Sequence, residues 1–123
     1  MTTEMTRQLV RGYYDSWMNG PARFDEARLQ TVLAPRVLFE SPMSRREDAS
    51  SFIEALRRIA GSVRELRLVQ TVVAGDESSV LYDADMESPR GTHRFAEFFR
   101  VEGERIASIR LVFDPTEFRK LAK

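Results

Sequence analysis

Thr92-His93-Arg94-Phe95-Ala96-Glu97-Phe98-Phe99-Arg100-Val101 runs into Glu102-Gly103-Glu104 and then into Arg105-Ile106. Successive side chains of a strand point to opposite faces. One face of this stretch then carries His93, Phe95, Glu97, Phe99 and Val101. The other carries Arg94, Ala96, Phe98 and Arg100. The first face is apolar except for His93 and Glu97, so it is the one that meets a core. Glu102-Gly103-Glu104 is a tight turn, and the next strand, 105–113, ends at Asp114-Pro115. Upstream, Ala74-Gly75-Asp76-Glu77 and Ser88-Pro89-Arg90-Gly91 are turns that bound strands over 65–73 and 79–86. Four strands joined by such short turns pair with their neighbours as an antiparallel meander.

The first half of the chain has helical spacing. Met5, Leu9, Tyr13 and Trp17 recur every four residues with Val10 beside them, one stripe of an amphipathic helix. Asn19-Gly20-Pro21 ends it. A second helix is expected over 24–33, stopped by Ala34-Pro35. A short strand follows at Val37-Leu38-Phe39-Glu40-Ser41-Pro42. A third helix spans 48–60, with Asp48 as N-cap, Phe52, Leu56 and Ile59 on its apolar face, and Gly61 just past its end. Helices followed by a run of strands give an α+β domain, with helices on one face of a mostly antiparallel sheet. The whole chain, 1–123, is expected to be one such domain.

Composition narrows the chemistry. There is no cysteine, which removes thiolate nucleophiles and cysteine-held metals. The one histidine, His93, excludes sites that need two or more. Neither a metal nor a cofactor is expected. Proton chemistry falls to carboxylates, tyrosines or that imidazole. Nineteen basic residues offset 19 acidic ones, so no net field draws the chain to nucleic acid or to an anionic membrane. The longest apolar runs are three residues, far from the ~20 of a membrane helix. The expectation is a cytoplasmic protein.

Three segments together resemble one known group. They are Tyr13-Tyr14-Asp15-Ser16-Trp17-Met18-Asn19-Gly20, Val37-Leu38-Phe39-Glu40-Ser41-Pro42, and Phe95-Ala96-Glu97-Phe98-Phe99-Arg100-Val101-Glu102-Gly103-Glu104-Arg105-Ile106. With their helix and strand order they resemble the nuclear transport factor 2-like superfamily, and within it the SnoaL-like and ketosteroid-isomerase-like proteins. The resemblance implies a curved sheet wrapped around the first helix as a cone, with an apolar pocket open at one end. It does not imply one activity, because this fold hosts several.

The resemblance also implies where site residues stand. Isomerases of this group use a tyrosine of the first helix, a carboxyl group on the third meander strand and an aspartate just before the proline of the first strand. Tyr13, central in its stripe, matches the tyrosine; Tyr14 lies about 100° round the helix as the alternative. Glu97, between Phe95 and Phe99, matches the carboxyl group, and burial there raises its pKa. Ser41 stands where the enolising aspartate would be, and serine cannot do that work. Glu40 and His93 are then the candidate bases. Glu40 faces away in a regular strand and reaches inward only through a bulge. Trp17, Phe39, Tyr82, Phe95, Phe99 and Leu111 are expected to line the pocket with Tyr14 and Ser41. Epoxide hydrolases of this group need a carboxylate where Leu111 stands, so that chemistry is not expected.

Two readings follow. One is a pocket protein for a small, mostly apolar molecule bearing a carbonyl or hydroxyl group, able to move a proton without cofactor. The other is a module that binds a ligand or dimerises without catalysis. A homodimer through the outer face of the sheet is expected, because Phe98, Val112, Val69 and Val73 all read as outward-facing and apolar.

Overall fold

Residues 2–121 are described by the computed structural model. Helix α1 (Thr2–Trp17) buries Val10, Tyr13, Tyr14 and Trp17, with Met5 and Leu9 half-buried along the same stripe. Gly20 follows it at φ +93°, a backbone region that suits glycine. After a single 3-10 turn, helix α2 (Glu26–Val32) starts on Asp25, whose carboxylate accepts from the Arg28 amide at 3.0 Å. It starts two residues later and ends one residue earlier than the expected 24–33. Pro35 forces Ala34 into an extended conformation, so strand β1 (Leu33–Glu40) begins directly at Leu33. A two-residue strand, β2 (Arg45–Arg46), pairs with the end of β1 and was not foreseen. Helix α3 (Ala49–Ser62) is capped by Asp48, which accepts from the Ser51 amide at 2.8 Å. Gly61 lies within its last turn rather than beyond it, and Val63 is its C-cap.

The meander follows as β3 (Val63–Ala74), β4 (Glu77–Glu87), β5 (Arg90–Glu102) and β6 (Arg105–Val112). Sheet order is β2-β1-β6-β5-β4-β3, with β1 parallel to β6 and every other pair antiparallel. The sheet is curved and unclosed, and the helices pack against its inner face. Strand β4 buries Val80, Tyr82, Ala84 and Met86, and β5 buries Phe95, Glu97, Phe99 and Val101. The predicted alternation is therefore met on the strands at the centre.

On β3 it is met only in part. Leu68 pairs with Tyr82, but Gln70 pairs with Leu81, so Val69 is an extra residue. This bulge reverses the alternation beyond it. Val72, expected inside, shares the outer face with Ser79, and Val73, expected outside, sits opposite buried Ser78. Leu68, also expected inside, is 43% exposed on this edge strand. A last helix, α4 (Thr116–Leu121), follows β6 and was not foreseen. Asp114 accepts from both the Thr116 amide (3.0 Å) and its hydroxyl (2.7 Å), turning the chain into α4 after Pro115. No described helix is long and apolar enough to cross a membrane.

Candidate functional site

Between α1, α3 and the inner face of the sheet lies a cavity of about 330 Å³. The strands supply Phe39, Tyr82, Phe95 and Leu111; α1 supplies Tyr13 and Trp17; α3 supplies Phe52 and Leu56. The rings pack in order. Tyr13 stacks on Phe52 at 6.2 Å between centroids, Phe52 on Phe39 at 4.5 Å, and Tyr82 on Phe95 at 5.0 Å. The walls are apolar and largely aromatic, and one carboxyl group stands among them.

That carboxyl is Glu97, 1% exposed at the centre of β5. The Tyr14 hydroxyl donates to its Oε1 at 2.6 Å. Burial raises the Glu97 pKa to about 7, against the opposing pull of hydrogen bonding from Tyr14 and Tyr13, which favours the ionised form. Burial, and then the Glu97 charge, holds Tyr13, Tyr14 and Tyr82 well above the usual tyrosine range. All three tyrosines of the chain thus surround one acid, and they remain neutral donors whichever state it takes. Such a carboxyl exchanges its proton near neutral pH without leaving its apolar surroundings.

The two adjacent tyrosines divide the work. Tyr13 lines the cavity, whereas Tyr14 stands behind Glu97 and holds one of its oxygens. Phe99 is likewise behind, packed on Tyr13 at 5.4 Å and on Tyr14 at 5.8 Å, so neither Tyr14 nor Phe99 is part of the lining. Trp17, Phe39, Ser41, Tyr82, Phe95 and Leu111 do line it. Among the described residues the buried Trp17 Nε1–H has no acceptor in hydrogen-bond geometry.

Two candidate bases are outside. From Leu38 to Glu40 strand β1 pairs with β6 in continuous register, so Glu40 points to the face opposite Phe39, where Arg45 donates to it at 2.7 Å. His93 shares the inner face of β5 but sits at its start. Its Nε2 lies 2.9 Å from the Pro89 carbonyl oxygen, and its ring meets Phe118 edge-on at 5.0 Å. Neither residue lines the cavity. Ser41 lines it as a turn residue: its Oγ accepts from the amides of Met43 and Ser44, both at 3.1 Å.

Sequence reasoning missed the open end. Met43, Ile59, Phe113, Phe118 and Leu121 all line it. The signal for the last three was there, since Phe113, Phe118 and Leu121 recur at near-helical intervals across Asp114-Pro115. That pair ends the strand and also starts a helix.

The profile of the SnoaL-like domain matches residues 10–109. This chain belongs to the SnoaL-like domain family. Solved structures agree on the fold. An NTF2-like protein of unknown function from Mesorhizobium loti is 21% identical with a TM-score of 0.80, over 93% of this chain and 94% of its own. An LEH-like epoxide hydrolase from M. tuberculosis is 20% identical with a TM-score of 0.75, over 96% of this chain and 89% of its own. A candidate ketosteroid isomerase from Kribbella flavida is 17% identical with a TM-score of 0.74, over 91% and 79%. Among curated proteins no sequence matches it. This SnoaL-like chain therefore shares a fold with proteins of differing activity, and its own chemistry has to be argued from the cavity.

Proposed function

We propose that this SnoaL-like protein binds one small, mostly apolar molecule in the cavity, with Glu97 and Tyr13 holding a carbonyl or hydroxyl oxygen of that molecule. The observation that carries this reading is a nearly neutral-range carboxyl, buried, among aromatic walls. Below about pH 7 Glu97 is protonated and donates to a ligand carbonyl; above it, Glu97 accepts from a ligand hydroxyl.

A second reading is proton transfer by the same group. With Glu40 and His93 outside the cavity, Glu97 is its own base. The ionised carboxylate would take an α-proton from an enolisable ketone, Tyr13 would donate to the enolate oxygen, and the proton would return to carbon. The titration of Glu97 near neutrality favours this reading; Ser41 at the usual base position favours binding alone. One experiment separates them. 2-Tetralone, a two-ring enolisable ketone, is incubated with the protein in deuterated buffer and followed by NMR. Exchange above the buffer rate that Glu97→Gln abolishes supports proton transfer. Saturable binding with exchange at the buffer rate supports binding alone. The absence of any saturable binding would contradict both.

We also propose a homodimer through the outer face of the sheet. Phe98, Val72 and Val112 are 41%, 49% and 55% exposed there. They flank a groove of about 830 Å³ whose charged residues include Arg36, Arg100 and Arg110 alongside Glu40, Glu77 and Glu102. Equal numbers of opposite charges around an apolar strip suit a twofold copy of the same surface better than a partner of one sign. Sedimentation equilibrium is expected to give twice the 14.2 kDa chain mass at micromolar concentration, and Phe98→Arg to return it to one. A wild-type monomer throughout that range would contradict the dimer.

A further inference from the structure

We propose that the cavity selects one- or two-ring compounds, with the oxygen at the Glu97 end, and that Phe118 of α4 is the residue that sets this length. The proposal rests on the reading of the cavity as a ligand site, and adds to it which ligands fit.

Distance along the strand sets the limit. Along β5, inner-face positions recur every two residues, about 7 Å apart. Phe95 is therefore about 7 Å from Glu97 along the strand and His93 about 13 Å. The Phe118 ring sits against both, at 6.1 Å from the Phe95 centroid and 5.0 Å from that of His93. A ligand anchored on Glu97 meets this wall after one or two rings.

The wall is held in place. Phe118 packs on Phe113 at 4.8 Å and edge-on against His93, and His93 is fixed by the Pro89 carbonyl. This gives the lone histidine a positioning role at the open end. Beyond Phe118, Leu121 is 55% exposed and also borders the cavity, so removing the Phe118 ring opens a path outward along α4.

The test uses three phenols that share one head group: phenol, 4-phenylphenol and 4-hydroxy-p-terphenyl. Affinities are measured by equilibrium dialysis at pH 8, where Glu97 is ionised and accepts a hydrogen bond from the phenol hydroxyl. Wild-type protein is expected to prefer 4-phenylphenol and to bind the terphenyl at least tenfold more weakly. Phe118→Ala should tighten the terphenyl at least tenfold while moving 4-phenylphenol less than threefold. Phe118→Leu, which keeps an apolar side chain, should give a smaller gain in the same direction and serves if the alanine variant does not fold. Equal wild-type affinity for the two longer phenols, or a terphenyl affinity unmoved by either substitution, would overturn the length limit and leave the pocket reading intact. No binding of any of the three would overturn both.

Discussion

Between pH 4.5 and pH 7 the protein is expected to lose roughly 3 kcal/mol of stability through Glu97 alone, and Glu97→Gln is expected to remove that loss. In the unfolded chain the carboxyl has its ordinary pKa near 4.5; in the folded chain burial raises it to about 7. The folded state thus binds the proton more tightly. Stability from this group is complete below the unfolded value, falls as the pH rises toward 7 and is gone above it. A buried glutamine is neutral throughout, so its variant should show a flatter profile and be the more stable protein at pH 8. Chemical denaturation of both proteins from pH 4 to pH 9 measures this. Parallel profiles would mean that Glu97 titrates as it does in water.

The second large effect is expected at Tyr14. Its hydroxyl is the direct partner of Glu97 Oε1, and both groups are buried. Tyr14→Phe leaves a buried acceptor without its donor, at a cost of about 1–3 kcal/mol. It also removes the 2.6 Å hydrogen bond that favours the ionised acid, so the Glu97 pKa should rise above 7. Tyr13→Phe should raise it less, because Tyr14 is the direct hydrogen-bond partner of the carboxyl. Tyr13→Phe should instead weaken ligand binding, because Tyr13 lines the cavity and Tyr14 does not. Equal effects of the two substitutions on both stability and binding would contradict the division of roles.

The parts legible in the sequence are those fixed by neighbours in the chain. Asp48 caps its helix through Ser51, three residues on, and Gly20 ends α1 because the backbone there needs φ > 0. The alternation around Glu97 survives because β5 lies between two partners that hold its register. Glu40 belongs here as well: regular alternation already pointed it away from Phe39. What was hidden depends on distant pairing. The inversion of Val72 and Val73 arises because β3 carries one more residue than β4 between paired positions, which no local pattern records. His93 shares a face with Glu97, yet only the packing of α4 shows that the Phe118 ring stands against this end of the strand. The choice between Tyr13 and Tyr14 was open because both are buried. Their roles separate only once Glu97 is seen between Tyr14 and the cavity.

The central claim is that Glu97 is a buried cavity acid poised near neutrality. Carbon-detected NMR of glutamate-labelled protein reads it directly. The resonance that vanishes in Glu97→Gln is expected to titrate with a midpoint at about 7. A midpoint for that resonance near 4.5, the ordinary value of this carboxyl, would contradict the account.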